Sequence, residues 1–396
     1  MSYNKNMFDL GNKRSIIREL FEFGKKRANE VGSENVFDFT LGNPSVEPPK
    51  EINDTIKKLV SCDNTISIHG YTSAQGDAIT RKSISDGINS KFNLNLTPDN
   101  IYMTCGAAAS LTISLKAVLN PGEECIVFAP YFTEYRVFIE NAGGKIVESQ
   151  PNANSLQINV EDFKSKITEK TRAVIINSPN NPSGVVYSEQ CIKKVAEILQ
   201  EASNKYNNPI YLISDEPYRE LVYSGVKVPY IMNYYKNTVV CYSYSKSLSL
   251  PGERIGYIAV NPDCEDSNSI YLAICGAGRS LGYVCAPSLF QKVIALNPGS
   301  VADISLYEKN KNILLENLTS FGYSCVKPDG AFYLFVKSLE EDATKFCEKA
   351  KKYNLLMVPC DDFGVKGYVR IAFCVPEKRV VNSLPYFKAL AEEYKA

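Results

Sequence analysis

The 396-residue sequence contains a single histidine, His69, and no tryptophan. One histidine nearly excludes a multi-histidine metal site and any Ser-His-Asp mechanism that is not built around it. No apolar run approaches the roughly 18 residues of a membrane span, and the N-terminus has no apolar signal core. The 44 Lys and Arg residues balance 44 Asp and Glu residues, so the chain lacks the charge that attracts nucleic acid or anionic membranes. We expect a cytoplasmic protein with no metal site, no nucleic-acid partner and no membrane partner.

The twelve cysteines include no C-x-x-C pair. Several of them, such as Cys125 and Cys241, lie inside apolar runs, where a free thiol behaves as a small hydrophobic residue. We therefore expect reduced, buried thiols rather than a disulfide framework.

Short apolar runs alternate with helical patterns through the middle of the chain. The runs are mostly continuous, which is typical of strands in a sheet that is covered on both faces. This alternation predicts an α/β fold with a large, doubly wound, mainly parallel sheet. The predicted strands are 101–104, 125–128, 173–177, 210–214, 239–243 and 256–260, and helices are predicted at 107–119 and 133–141.

The pattern changes near residue 287. A helical stretch is followed by two strands with a charged helix between them, which predicts a smaller α+β domain. The N-terminal segment, with a helix predicted over 15–31, is expected to join it, because chain ends often lie close together. The predicted division is 1–47, 48–286 and 287–396; within the last part we predict helices at 301–319 and 340–352 and strands at 331–336 and 368–373.

The loop SYSKSLSLPGERIG (residues 243–256) follows a predicted strand and carries Lys246 among small and hydroxyl residues. A lysine at the end of a buried strand can be desolvated, which favours its neutral, nucleophilic form. The nearby hydroxyl groups and Arg254 suit a phosphate dianion. A polar loop with a solvated lysine would look similar, so this loop alone leaves both interpretations open.

Three further loops also follow predicted strands. NSPNNPSG (177–184) can present an amide side chain, although turn chemistry alone explains its composition. SDEPYR (214–219) places Asp215 where open α/β sheets bind ligands, or where an aspartate caps a helix. TCGAAAS (104–110) lets the backbone approach an anion at a helix N-terminus, or marks tight packing. Because all four loops follow strands, we expect one sheet edge to present them to one ligand.

Together and in this order, these motifs resemble those of the class I/II aminotransferases, in particular the aspartate aminotransferases. These are fold-type-I enzymes that use pyridoxal 5′-phosphate (PLP). The resemblance extends from LGNP at residue 41 to VRIAF ending at residue 373. It implies PLP as cofactor, amino-acid and 2-oxo-acid substrates, and a homodimer with shared active sites.

The resemblance also implies roles for individual residues. Lys246 corresponds to the lysine that forms the Schiff base and carries the proton, and Asp215 to the partner of the pyridinium nitrogen. Tyr218 and Asn181 correspond to the pair that bonds the phenolic oxygen of the ring. The residues that correspond to the phosphate site are Gly106, Ala107, Ala108, Ser243, Ser245, Arg254 and, from the neighbouring subunit, Tyr71.

Arg370 resembles the arginine that holds the substrate α-carboxylate, with Gly42 and Asn181 bordering the same site. Arg279 is a candidate for binding a substrate side chain, although a surface arginine at a helix end explains it as well. The sequence departs from the family pattern at two places. Phe132 stands where a tryptophan commonly stacks on the cofactor, and Ala108 replaces a hydroxyl residue of the phosphate-binding turn.

Three functions follow from these residues. The first is an aminotransferase that acts on aspartate-type or aromatic amino acids by a ping-pong mechanism, with a 2-oxo acid such as 2-oxoglutarate. The second is a PLP-dependent C–S β-lyase on the same scaffold, since both use the same lysine and phosphate site. The third is an aminotransferase-like domain of a transcription regulator. Only about forty residues precede LGNP, and the charge is balanced, so the regulator is the weakest of the three.

Overall fold

The computed structural model describes residues 2–12, 16–62 and 64–395. Its strands within these ranges are β1 (Phe37–Asp38), β2 (Ile101–Thr104), β3 (Glu124–Phe128), β4 (Lys145–Ser149), β5 (Thr171–Asn177), β6 (Tyr211–Asp215), β7 (Thr238–Ser243), β8 (Gly256–Val260), β9 (Ser324–Val326), β10 (Tyr333–Lys337), β11 (Leu355–Leu356), β12 (Val358–Pro359) and β13 (Tyr368–Ala372).

The helices of the same residues are α1 (Lys5–Asn12), α2 (Ile16–Val31), α3 (Lys50–Val60), α4 (Ile66–His69), α5 (Ala78–Phe92), α6 (Ala107–Val118), α7 (Glu134–Asn141), α8 (Val160–Lys166), α9 (Glu189–Tyr206), α10 (Tyr244–Ser247), α11 (Ser267–Ser280), α12 (Ser288–Leu296), α13 (Ser305–Phe321), α14 (Ala343–Ala350) and α15 (Glu377–Glu393).

The chain divides into two compact units. The large unit comprises residues 44–304 and 329–331, and the small unit comprises the described residues of 1–43, 305–328 and 332–396. The division predicted from the sequence, into 1–47, 48–286 and 287–396, stays a prediction.

The large unit contains one seven-stranded sheet, with the strand order β2-β8-β7-β6-β5-β3-β4. The strands from β7 to β4 run parallel to their neighbours, whereas β8 is antiparallel to both β2 and β7. The strands β7 and β8 are buried along their length, and β5 is buried except at Arg172. The helix α6 packs across these strands with Leu111, Ile113 and Leu115 inside. The predicted α/β fold with a mainly parallel sheet is confirmed.

The four loops identified above leave the sheet at the same end of its strands. In the register of the parallel strands, Asn177 pairs with Asp215, and Asp215 pairs with Cys241, so β5, β6 and β7 end together. On the other side, Gly256 pairs with both Ser243 and Thr104, because β8 runs in the opposite direction. The loops after β5, β6, β7 and β2 therefore all lie at the carboxyl ends of these strands, on the same side of the sheet.

The small unit is an α+β structure built from both ends of the chain. Four strands form an antiparallel sheet in the order β12-β13-β10-β9, and α13 packs against α15. The N-terminal segment joins this unit through β1, which pairs in parallel with β11. The predicted smaller α+β domain from both chain ends is confirmed.

In the seven-stranded sheet of the large unit, β4 is the strand that the sequence analysis did not identify. This strand lies at the edge of the sheet and pairs with β3 alone, so only one of its residues, Ser149, is buried. A partly exposed edge strand needs no continuous apolar run, and its sequence KIVES shows none. In the small unit, the helix predicted from residue 301 begins at Ser305, and Ser15, the first residue of the predicted N-terminal helix, lies outside the described residues.

All twelve cysteines are free thiols. Seven are buried and five, including Cys105 and Cys285, are partly exposed. Across the part of the chain that the structure describes, no helix is both long and apolar enough to cross a membrane.

Candidate active site

Asp215, the last residue of β6, is a buried carboxylate with one satisfied and one unsatisfied oxygen. Its Oδ2 accepts a hydrogen bond of 2.5 Å from the hydroxyl of Tyr135. Its Oδ1 is buried and has no hydrogen-bond partner among the described residues. Burial raises the pKa of Asp215 to about 7; the hydrogen bond from Tyr135 opposes this rise and the charge of Glu216 adds to it. A buried acceptor in this state is prepared for a cationic or hydrogen-bonding partner.

Tyr135 is the principal residue that the sequence analysis missed. It comes from α7 and is 1% exposed, with its ring perpendicular to that of Phe132 at a centroid distance of 5.8 Å. Burial raises the pKa of Tyr135 well above its ordinary value, and the neighbouring Asp215 and Tyr218 raise it further. The hydroxyl therefore stays protonated and donates to Asp215. In the sequence, a tyrosine on a helix face is indistinguishable from an ordinary core residue.

Asn177 ties the loop after β5 to the end of β6. Its Nδ2 donates to the backbone carbonyl of Asp215 (2.9 Å), and its Oδ1 accepts from the backbone N–H of Asn181 (2.7 Å). Asn180 closes the same loop, because its Oδ1 accepts from the backbone N–H and the hydroxyl of Ser183. Asn181 and Tyr218 are both buried, 6% and 5% exposed. The side chains of Asn177 and Asn180 thus fix the loop.

Lys246 lies in α10, the single helical turn that follows β7. The turn is capped by Ser243, whose Oγ accepts from the backbone N–H of Ser245 (3.2 Å) and donates to the hydroxyl of Ser245 (2.8 Å). Arg254 donates to Ser245 Oγ (3.3 Å) and to the carbonyl of Pro251 (2.9 Å). Two hydroxyls and a guanidinium therefore meet beside the lysine turn.

Gly106 brings the N-terminus of α6 to the same place. A Cβ on Gly106 would lie 2.9 Å from Nη2 of Arg254, and one on Gly256 would lie 2.3 Å from the carbonyl of Tyr242. These close approaches leave no room for side chains. Gly106 provides no side-chain cap for α6, so the first N–H groups of the helix, at Ala107 and Ala108, are available to an anion.

The donor set of the large unit fits PLP. The α6 N-terminus, Ser243, Ser245 and Arg254 offer N–H, hydroxyl and guanidinium donors for a phosphate. The buried Oδ1 of Asp215 offers an acceptor for a protonated ring nitrogen, and Lys246 offers the amine. Within residues 2–12, 16–62 and 64–395, no group of three or more His, Cys, Asp and Glu side chains is arranged to hold a metal ion.

Arg370 lies in the small unit, in the middle of β13. It is 3% exposed, and its Nη2 donates to the carbonyl of Thr40 (2.7 Å). Its guanidinium carbon lies 4.6 Å from the ring centre of Tyr333 and 5.6 Å from that of Phe363. Gly42 is close to the same ring, because a Cβ there would lie 2.1 Å from the hydroxyl of Tyr333. A buried, fixed guanidinium suits a planar carboxylate.

Tyr71 and Arg279, both in the large unit, are exposed. The side chain of Tyr71 is 98% exposed, although its segment is held by Gln291, which accepts from the N–H of Asp77 (2.6 Å) and donates to Thr72 Oγ1 (3.2 Å). Arg279 lies in the last turn of α11, where a cation suits the helix dipole. The predicted cofactor residues all belong to the large unit. Tyr71 differs from the others because its predicted role requires a second subunit.

The model of the aminotransferase class I and II family matches residues 34–384. The chain therefore belongs to the class I and II aminotransferases, and it is a PLP-dependent aminotransferase. The predicted family, enzyme class and cofactor are confirmed.

Individual relatives cover nearly the whole chain. An aminotransferase from Eubacterium rectale, known from a crystal structure, is 52% identical with a TM-score of 0.98 and covers 100% of both chains. The aspartate aminotransferase of Thermotoga maritima is 29% identical over 366 residues, 91% of this chain and 92% of the relative. The aromatic-amino-acid aminotransferase 2 of Thermococcus litoralis is 26% identical over 400 residues, 96% of each chain.

Proposed function

We propose that this aminotransferase moves the amino group of an L-amino acid of the aspartate or aromatic type to a 2-oxo acid such as 2-oxoglutarate. The transfer takes place in two half-reactions. The observation that carries the proposal is the buried Asp215, with one oxygen unsatisfied, at the same sheet edge as Lys246. The names of the Thermotoga maritima and Thermococcus litoralis relatives support the two substrate types.

PLP, when bound, supplies the electron sink that stabilises negative charge at the substrate α-carbon. Asp215 would keep the ring nitrogen protonated by charge pairing, while Tyr218 and Asn181 would donate to the phenolic oxygen. The phosphate would be held by Ser243, Ser245, Arg254 and the α6 N-terminus, with Gly106. Phe132 would supply the aromatic side chain next to the ring.

On the substrate side, the amine of Lys246 holds the proton that leaves the α-carbon. Arg370 binds the α-carboxylate through its guanidinium, which fixes the direction of the α-hydrogen. The family resemblance assigns Asn181 and Gly42 to binding the same carboxylate. Arg279, in the last turn of α11, is the candidate for binding the substrate side chain, at a position that the helix dipole also favours.

We also propose a homodimer in which Tyr71 reaches the phosphate of the neighbouring subunit. Support comes from two apolar side chains that are exposed in the segment just before Cys285: Tyr283 is 36% and Val284 48% exposed. Cys285, next to Val284, donates to the carbonyl of Thr72 (3.5 Å), which links this segment to that of Tyr71. The free thiols fit the reducing cytoplasm, where we place the enzyme.

The test is a single-turnover experiment with the PLP-loaded enzyme. Aspartate, or an aromatic amino acid, is added without any 2-oxo acid acceptor. We expect about one equivalent of 2-oxo acid per subunit and no ammonia, because the amino group stays on the enzyme until an acceptor arrives. Adding 2-oxoglutarate should then permit continuous turnover. Ammonia and pyruvate formed continuously from cystathionine would instead support the β-lyase and contradict the proposal.

A further inference from the structure

A buried ionic network links the residue after Asp215 to the residue after Lys246. Arg219 donates to Glu216 Oε2 (2.8 Å) and to Glu220 Oε1 (3.0 Å). The other oxygen of Glu220, Oε2, accepts from the hydroxyl of Tyr242 (2.7 Å), which also lies 2.9 Å from Ser247 Oγ. We call Glu216, Arg219, Glu220, Tyr242 and Ser247 the Arg219 network.

The network is enclosed. The Arg219 side chain is 9% exposed and that of Glu216 4%, and the guanidinium lies against three aromatic rings, with centroid distances of 4.4 Å to Tyr242, 5.4 Å to Phe92 and 5.5 Å to Tyr230. The ring and hydroxyl of Tyr242 therefore both contact charged members of the network.

Stability alone is a poor explanation for this arrangement. Removing charged groups from water costs several kcal/mol per ion, and well-packed apolar residues of similar volume often stabilise a protein as well or better. Burial raises the pKa of Glu216, and Arg219 and Ser214 only partly oppose it. For Glu220, burial also raises the pKa, but Arg219, Tyr242 and Lys91 outweigh it and the net pKa is lowered. Arg219 thus keeps a carboxylate charged inside the protein.

The Arg219 network connects two short segments, one next to Asp215 and the other next to Lys246. Glu216 is fixed by Ser214, whose hydroxyl donates to its Oε1 (2.8 Å), and its N–H donates to the carbonyl of Cys241 (2.9 Å). Ser247 belongs to α10, the single turn that carries Lys246. A turn of four residues cannot hold itself in place by its own hydrogen bonds, so its position depends on such external bonds.

We propose that Arg219 and Tyr242 are positioning residues that fix the Lys246 turn relative to Asp215. Arg219 orders the two carboxylates, Glu220 orders the Tyr242 hydroxyl, and Tyr242 holds Ser247. None of these residues needs to touch cofactor or substrate. The inference rests on the proposed roles of Lys246 and Asp215.

The test is a double-mutant cycle of Tyr242→Phe and Ser247→Ala, which remove the two ends of the same hydrogen bond. Three quantities are measured on each variant: the PLP dissociation constant by equilibrium dialysis, the pH midpoint of the absorbance of the lysine-bound cofactor, and urea unfolding of the apoprotein. We expect each single change to weaken PLP binding about 5- to 20-fold and to move the absorbance midpoint. The double variant should resemble Tyr242→Phe, because the bond is already lost.

Tyr235→Phe is the matched control. Tyr235 is equally buried, at 3% exposed, and its hydroxyl donates to the carbonyl of Ile210 (2.8 Å), outside the Arg219 network. We expect this variant to lose stability to urea with PLP affinity and absorbance midpoint unchanged. Arg219→Lys keeps the positive charge but loses the guanidinium that donates to both carboxylates. This variant should therefore bind PLP more tightly than Arg219→Gln and less tightly than the wild type.

Additive effects in the cycle, or variants with unchanged PLP affinity and absorbance midpoint, would overturn the positioning role and leave the network purely structural. Such a result would not affect the proposed function, since the single-turnover yield of 2-oxo acid from the wild-type enzyme tests that separately. If the wild type gives no such yield, the proposed function fails whatever the cycle shows.

Discussion

At the scale of single residues, Asp215 shows how burial prepares a group for its partner. A carboxyl with a pKa of about 7 instead of 3.8 is costly to ionise inside the fold. In the proposed mechanism, the protonated ring nitrogen of PLP is the cation that relieves this cost. Tyr135 donates to one oxygen, and the other is buried with no hydrogen-bond partner among the described residues, so this oxygen can accept from a cationic donor.

The raised pKa of Asp215 predicts a pH-dependent stability of the apoprotein. A raised folded-state pKa contributes stability that is fully present below pH 3.8 and is lost as the pH rises through about 7. Compared with Asp215→Asn, which cannot ionise, the apo wild type should lose up to about 4 kcal/mol of unfolding free energy between pH 4 and pH 8. Urea unfolding of both apoproteins across this range measures the difference. A difference that does not change with pH would mean that Asp215 ionises as freely in the fold as in water.

Lys246→Ala should abolish the absorbance band of the lysine-bound cofactor and all turnover. The fold should survive, because Lys246 is only half-buried and its turn is capped by Ser243. The absorbance spectrum with added PLP, compared with urea unfolding, separates the two effects. A variant that keeps the band or a rate near that of the wild type would remove Lys246 from the proposed mechanism.

The residues of the candidate site were predictable from sequence to different degrees. Lys246, Asp215 and Asn181 were predictable because each lies in a polar loop directly after an apolar run. Tyr135 and Asn177 were not. The hydroxyl of Tyr135 meets Asp215 only through tertiary packing of α7, and Asn177 ends a strand with an amide that turn formation explains equally well.

At the scale of secondary-structure elements, the site depends on where strands end. β2, β5, β6 and β7 could be predicted because they are buried on both faces and have continuous apolar sequences. The antiparallel direction of β8 could not, since direction leaves no mark in the composition of a buried strand. It matters nonetheless, because it places Gly256 between Ser243 and Thr104.

Gly106→Ala tests the junction of β2 and α6. Gly106 has φ 89° and ψ 175°, a region that is essentially restricted to glycine and costs other residues about 1–3 kcal/mol. The added Cβ would also lie 2.9 Å from Arg254 Nη2. We expect a loss of about 1–3 kcal/mol in unfolding free energy and a loss of PLP affinity of about tenfold or more, as phosphate donors are displaced.

Gly122→Ala is the control for backbone strain alone. Gly122 also has a positive φ, 86°, but a Cβ there meets nothing within 4 Å. It should lower the unfolding free energy and leave the PLP dissociation constant unchanged. If both variants lose PLP equally, the effect of Gly106→Ala comes from general destabilisation and not from the Arg254 contact.

At the scale of the whole molecule, the chain places its two groups of proposed site residues in different units. The cofactor residues belong to the large unit, whereas Arg370 and Gly42 belong to the small unit. Sequence patterns predicted both folds, because strand-like and helical stretches follow one another in a different order in each part of the chain. The association of subunits is harder to predict from sequence patterns. Tyr71, 98% exposed on a segment held by Gln291, contributes to a cofactor site only in the proposed homodimer.

The shared-site proposal predicts complementation between subunits. Tyr71→Phe should loosen PLP by roughly the 1–3 kcal/mol expected for a hydrogen bond to a charged group, which equilibrium dialysis measures first. Tyr71→Phe is then mixed with Lys246→Ala under conditions that let subunits exchange. If Tyr71 serves the neighbouring subunit, each mixed dimer has one site with both defects and one site with neither. The intact site should restore up to about half of the activity of a wild-type dimer. A mixture that gains neither PLP retention nor rate over the sum of its parents would place Tyr71 in the site of its own subunit.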